Sequence, residues 1–237
     1  MHLTLAGTGA QVTPPPSHVE DRVRFTRRTF TLDSTDMQRL KQRIVHLAEA
    51  HDTPLARPPS TFVAVTALAW TCFARCKPFG LDDDVFLFFL ADVLARLDPP
   101  VDMGYIGVCL TRCLAVLPAR ELRGARALVA AVSAVQDEVV RMNGDPTNQQ
   151  THLTPIMMAS WDRLMNVSGS SGFTAYQIAD FGWGKPRRTE PIRMNHDGQV
   201  ALMRARDGVG VQVSVSLLQQ AQMDEFRSQF LELVGSN

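Results

Sequence analysis

PIRMNHDGQVALMRARDGVGVQVSVSL, residues 191–217, alternates apolar and polar side chains around two Asp-Gly pairs, Asp197-Gly198 and Asp207-Gly208. A two-residue period puts one apolar set on a single face of a pleated strand, and Asp-Gly supplies the positive φ that a tight hairpin turn requires. The pattern predicts a three-stranded antiparallel meander over residues 189–217. Beyond it the spacing becomes helical, and Met223, Phe226, Phe230, Leu231 and Val234 share one face of a helix over 219–234.

Upstream, strands and helices interleave. VRFTRRTFTL, residues 23–32, sets Val23, Phe25, Phe30 and Leu32 among Thr and Arg, which suits a half-buried strand near a sheet edge. Asp33, Ser34 and Thr35 offer N-caps, with Gln38 placed to complete a capping box with Thr35, for a helix to about Ala50 bearing Met37, Leu40, Ile44 and Leu47. Ser60 caps a second helix, TFVAVTALAWTCFARC, which is apolar nearly all round, as buried helices are. VFLFFLAD, residues 85–92, reads as a central strand. YIGVCLTRCLAVL, residues 105–117, fits a second strand or a helical turn. Residues 119–142 predict the longest helix, with Leu122, Ala125, Leu128, Val132, Val135 and Val139 on one stripe. The interleaving implies one α/β domain with a mixed sheet and flanking helices. Residues 1–22, with Pro14, Pro15 and Pro16, read as a flexible leader.

Composition bounds the function. With 45% hydrophobic and 20% charged residues among 237, the chain is an ordinary globular protein. Its 24 basic and 24 acidic residues balance, which gives no electrostatic footprint for nucleic acid. The longest apolar stretches, 62–70 and 85–91, are short for a bilayer, and the N-terminus has no secretory pattern. The expectation is a cytoplasmic protein with no membrane partner. Cys72 with Cys76, and Cys109 with Cys113, are spaced more widely than zinc knuckles and read as small buried hydrophobes. Asp82, Asp83 and Asp84 read as a solvated turn, so no metal is expected. No dinucleotide fingerprint, P-loop or nucleophile elbow occurs.

The remaining signal is Asp180-Phe181-Gly182-Trp183-Gly184-Lys185-Pro186. Two glycines alternating with large aromatics predict a tight structural corner whose rings anchor in the core, with Asp180 and Lys185 as opposite charges near its ends. DFGWGKP also resembles, without a mismatch, the C-terminal signature of the plant acyl-CoA-dependent BAHD acyltransferases. Leu97-Asp98-Pro99-Pro100, Tyr105-Ile106-Gly107-Val108-Cys109 and Ser60-Thr61-Phe62 resemble stretches of the branch containing anthocyanin and phenolic glucoside malonyltransferases. Leu94 and Val108 depart from it, standing where that branch usually has arginine and asparagine.

The resemblance implies a CoA-dependent acyltransferase-like lobe over 23–237, with a mostly antiparallel sheet, and acyl-CoA as cosubstrate. The family's general base is a histidine in H-x-x-x-D, carried by an N-terminal lobe. None of the six histidines here has Asp four residues on, so the chain corresponds to the C-terminal lobe and no catalytic residue is expected in it. By resemblance, Ser60, Thr61, Asp92 and Arg96 lie near the CoA channel; alternatively Ser60 is only an N-cap and Arg96 only a loop charge. The implied reaction is transfer of a malonyl- or hydroxycinnamoyl-type group to a hydroxyl of a phenolic or flavonoid glucoside, with a separate N-terminal lobe as partner. The alternative is a non-catalytic interaction module or gene fragment.

Overall fold

The computed structural model describes residues 25–235 apart from 98, 100, 101, 103, 148–160, 192, 193 and 195. The expected leader, 1–22, lies outside the described residues. Six strands form one sheet: β1 (Thr26–Leu32), β2 (Asp84–Asp92), β3 (Leu110–Pro118), β4 (Leu164–Gly169), β5 (Gln199–Arg204) and β6 (Val211–Leu217). They run in the order β1-β6-β5-β4-β2-β3. The pairs β1–β6, β5–β6 and β2–β3 are antiparallel, while β2–β4 and β4–β5 are parallel, so the sheet is mixed and mostly antiparallel, as expected. VFLFFLAD lies inside the sheet, and the part of the expected edge strand over Thr26–Leu32 lies at its edge.

The α-helices among the described residues are α1 (Ser34–Ala50), α2 (Thr61–Cys76), α3 (Ala119–Arg123), α4 (Ala127–Gly144), α5 (Ala175–Ile178) and α6 (Gln220–Val234). α1 buries Met37, Leu40, Ile44 and Ala48, but its capping box is Asp33 with Asp36, not Thr35 with Gln38. The carboxylate of Asp33 takes the Asp36 N–H at 2.8 Å, and that pair lies two residues earlier. α2 is the buried helix: only Thr61, Phe62 and Arg75 escape burial. On α6 the buried set is Met223, Phe226, Phe230, Leu233 and Val234, so Leu233 replaces the expected Leu231. Phe30 of β1 stacks on Phe230 at 4.5 Å and lies 6.0 Å from Phe226, which seals the β1 edge onto α6.

Two expectations fail for identifiable reasons. The helix expected over 119–142 breaks at Gly124, and Arg123 turns away to donate to the carbonyls of Ala74 and Phe79, at 3.0 and 2.7 Å, and of Lys77. The meander is a two-stranded hairpin, β5–β6, because β4 takes the place beside β5. The expected first strand instead lies across the open face of the sheet. There the Thr189 N–H donates to the Tyr176 hydroxyl at 2.8 Å and its carbonyl accepts from Gln212 at 2.9 Å. The Met194 carbonyl accepts from Arg27 Nε at 3.0 Å and Ser216 Oγ at 3.3 Å.

Of the two Asp-Gly pairs, Asp207-Gly208 makes the hairpin turn, with the Asp207 carboxylate accepting from Val209 and Gly210 at 2.9 and 2.8 Å. Those two bonds hold its pKa below the ordinary carboxylate value. Asp197-Gly198 launches β5 instead: Gly198 has φ 79°, and a Cβ there would meet the Leu164 carbonyl and the Phe73 ring at 2.7 Å.

Phe230→Ala should cost about 3–5 kcal/mol by leaving a cavity under β1, read from urea denaturation. Arg123→Met should cost about 1–3 kcal/mol by stranding the carbonyls beyond α2. Burial pushes the Cys76 and Cys113 thiols up from 9.0 to about 12. Above pH 9.0 the unfolded thiols ionise while the folded ones hold their protons. Stability should therefore fall as pH rises from 9.0 toward 12, by up to about 1.4 kcal/mol per pH unit for each thiol, with no such effect below.

Candidate functional site

Strands β2, β4 and β5 point the same way, so their carboxyl ends share one edge of the sheet. Ligands of open α/β sheets bind outside that edge. α2 leads through a short turn into the start of β2, and therefore runs back against it, with its N-terminus at the carboxyl end. The Phe62 and Phe89 rings, 5.2 Å apart, join the two there. Conversely, α4 starts at the far end after β3 and finishes beside the 3-10 turn Leu94–Arg96. All four expected CoA-channel residues, Ser60, Thr61, Asp92 and Arg96, thus lie at one end of the molecule.

Local chemistry orients each of them. Ser60 Oγ accepts from the Val63 N–H at 3.3 Å, which makes it the N-cap of α2. Thr61 Oγ1 accepts from Lys41 Nζ at 3.2 Å. Asp92 accepts from the Leu94 N–H at 2.9 Å and so shapes the turn after β2. Arg96 donates from Nε to Asn143 Oδ1 at 2.9 Å and from its other end to the Asp92 carbonyl. Ser60, Asp92 and Arg96 remain exposed. The cap reading of Ser60 is therefore correct, and it leaves the hydroxyl accessible at a helix N-terminus.

Sequence reasoning missed Lys41 and Asn143, which fix Thr61 and Arg96; nothing in their spacing marks them, because both lie on polar helix faces. It also mistook the DFGWG corner. Phe181 and Trp183 are 83% and 93% exposed rather than anchored in the core. The Asp180 carboxylate accepts the N–H groups of Gly182 and Gly184 at 2.8 and 3.2 Å. The glycines, at φ 91° and 87°, hold a conformation that side chains with a Cβ rarely adopt.

Of the described histidines, His196 stands at the opposite end, before the start of β5. His46 is in the last third of α1, His51 follows that helix, and His196 precedes β5 and stacks on Trp161 at 6.0 Å. An open groove of about 760 Å³, lined by His51, Arg120, Arg126 and Asp137 among others, is also at the far end, and there Arg120 is already paired with Asp82. Among the described residues no group of three or more His, Cys, Asp or Glu could hold a metal ion, and no helix is long and apolar enough to cross a membrane.

A mixed sheet of this order, with helices on one face and polar anchors at its carboxyl edge, defines a CoA-dependent acyltransferase-like lobe. The chain belongs to the Transferase family, that of the BAHD acyltransferases, whose model matches residues 9–233. It is 28% identical to an agmatine coumaroyltransferase of Arabidopsis thaliana over 94% of this chain and 49% of that protein. A phenolic glucoside malonyltransferase 1 of Bemisia tabaci is 32% identical, over 86% of this chain and 44% of the relative. The chain spans about half the length of these relatives. The fold matches vinorine synthase with a TM-score of 0.63 at 18% identity, covering 89% of this chain and 48% of that one. It also matches F. graminearum TRI101 complexed with Coenzyme A and Deoxynivalenol, TM-score 0.62 at 16% identity, over 86% of this chain and 47% of the other.

Converting Ser60 to Ala should cost about 1 kcal/mol of stability by removing the cap, measured by thermal melting.

Proposed function

We propose that this chain is the C-terminal lobe of an acyl-CoA-dependent acyltransferase, and that it binds the CoA portion of the donor at the carboxyl end of β2, β4 and β5. The observation that carries the reading is the placement at that one end of an exposed helix N-terminus with Ser60 and Thr61, and of the anchored cation Arg96. Helix N–H groups and a guanidinium suit the phosphates of CoA. The transferred group is of the malonyl or hydroxycinnamoyl type and the acceptor a hydroxyl of a phenolic or flavonoid glucoside. The names of the relatives support acyl transfer in general and leave this acceptor as our reading.

The chemistry requires the acceptor oxygen to bond the thioester carbonyl carbon as the C–S bond breaks. A base takes the hydroxyl proton, and the departing CoA sulfur ends protonated. This lobe supplies the binding and orientation of the donor. The base belongs to a second lobe. Its absence removes roughly 10²- to 10⁴-fold in rate even from a site that is otherwise intact, and loss of positioning removes more.

Isothermal titration with CoA should show binding that Arg96→Ala weakens about tenfold or more, the range expected for losing one charge-assisted hydrogen-bonding group. Assayed with malonyl- and hydroxycinnamoyl-CoA and a flavonoid glucoside, the chain alone should give no turnover, and the chain with an N-terminal lobe from a relative should. Turnover by the chain alone would refute the assignment of the base. CoA binding indifferent to Arg96, with no turnover in either sample, would favour a non-catalytic interaction module.

A further inference from the structure

We propose that Asn143-Gly144, at the end of α4, is a self-modifying site: the Asn143 side-chain amide converts to a carboxylate, with Arg96 as the polarising group. The site stands on this chain's own chemistry. Its consequence rests on the proposed function, because Arg96 is the cation assigned there to the phosphates of CoA.

Asn followed by Gly occurs once in the sequence. Glycine has no side chain to hinder its own nitrogen, and it holds a helix poorly. Gly144 is the last residue of α4, and Asp145 after it has already left helical geometry, at φ −143° and ψ 85°. Pro146 then forbids any continuation of the helix. Asn143 and Gly144 are both exposed, and nothing of this chain lies within 4 Å of a Cβ built at Gly144. Water reaches the pair, and the Gly144 nitrogen has room to approach the Asn143 side chain as the helix end frays.

Polarisation comes from Arg96, whose Nε donates to Asn143 Oδ1 at 2.9 Å. The same guanidinium donates to the Asp92 carbonyl, which fixes its direction. A cation bonded to an amide oxygen draws electrons from the carbonyl carbon and stabilises the oxyanion formed when a nucleophile adds. The steps consume only water. The Gly144 nitrogen bonds Asn143 Cγ and gives its proton to water while negative charge gathers on Oδ1. The bond from Cγ to the side-chain nitrogen then breaks, ammonia leaves, and a cyclic imide remains. Water adds to either ring carbonyl and opens the imide to aspartate or to isoaspartate.

Either product places a carboxylate where Arg96 held a neutral amide. The guanidinium then pairs within the chain and attracts an anionic ligand less strongly. Isoaspartate also lengthens the backbone at the end of α4, where the Asp145 N–H donates to the Arg141 carbonyl at 3.0 Å. Affinity for CoA thus falls with the age of the protein.

The test holds the full chain in warm, mildly alkaline buffer and samples it over days. The tryptic peptide 142–163 also contains Asn148, followed by Gln149, so tandem mass spectrometry compares the two side chains in one peptide. We expect conversion at Asn143 well ahead of Asn148. It should be about fivefold slower in Gly144→Ala, the factor by which alanine holds a helix better than glycine. Arg96→Met should slow it too, whereas a guanidinium that merely pinned the helix end would speed it when removed. CoA titration should show at least about tenfold weaker binding for the aged parent and for fresh Asn143→Asp, the scale of losing a charge-assisted bond. Gly144→Ala aged alongside should keep most of its fresh affinity. All three substituted positions are exposed, and thermal melts of the fresh variants check that each folds; if Gly144→Ala melts early, Gly144→Ser takes its place with the same expectation.

Asn143 converting no faster than Asn148 would overturn the site. Equal rates in the parent and Gly144→Ala would overturn attack by the Gly144 nitrogen, and an equal or faster rate in Arg96→Met the part of the guanidinium. Conversion that leaves CoA affinity intact would overturn the link between the two. If the fresh parent does not bind CoA, the proposed function fails, while the mass measurement still decides the modification.

Discussion

Helix α2 is buried on nearly every side, and a helix in that position ends in carbonyl groups that water cannot reach. Arg123 answers this constraint by donating to Ala74 inside the last turn and to Lys77 and Phe79 beyond it. One guanidinium thereby fixes where α2 stops, how the chain enters β2, and why α3 and α4 are separate helices. Lys77 adds a second tie at the same place: its ammonium pairs with Asp197 and lies 5.5 Å from the Phe73 ring centre. Since α2 is rigid and runs back along β2, holding its C-terminus also sets the position of its N-terminus, where Ser60 and Thr61 meet the carboxyl edge of the sheet.

A second constraint acts at the outer strands, since unpaired edges invite association. The β3 edge is occupied by α4: Glu138 accepts the Leu114 N–H at 2.8 Å and Arg141 donates to the Arg112 carbonyl at 3.1 Å. Glu138 is buried, and its charge is compensated by two bonds from Arg141 at 2.9 and 2.7 Å. Such a pair does little for net stability, but leaving either member alone would be costly. It makes the β3 edge unsuited to strand addition.

The legible parts of the sequence were those governed by local physics. The apolar helix 61–76, the strand 84–92 and the edge strand before Leu32 follow from periodicity and flanking polar residues, and the Asp207-Gly208 turn follows from backbone sterics. The unread parts depend on what another segment does. Residues 189–196 alternate as a strand would, but β4 fills the place beside β5, so the Thr189 carbonyl is taken by the side chain of Gln212 and the Met194 carbonyl by those of Arg27 and Ser216. Gly124 is an ordinary interruption by sequence, and only the position of α2 explains why Arg123 leaves the helix there. Of the candidate site, the four residues could be named from resemblance alone. Lys41 and Asn143, which orient two of them, could not.

The DFGWG corner failed for a reason of the same kind, and it bears on function. Large aromatic residues are buried in folded chains because water is a poor neighbour for them, so expecting Phe181 and Trp183 in the core was sound physics applied to the wrong boundary. A carboxylate and two glycines at positive φ hold this loop in a conformation that leaves both rings exposed. The carboxyl edge gathers hydroxyls, a helix N-terminus and an arginine, groups whose chemistry suits an anion.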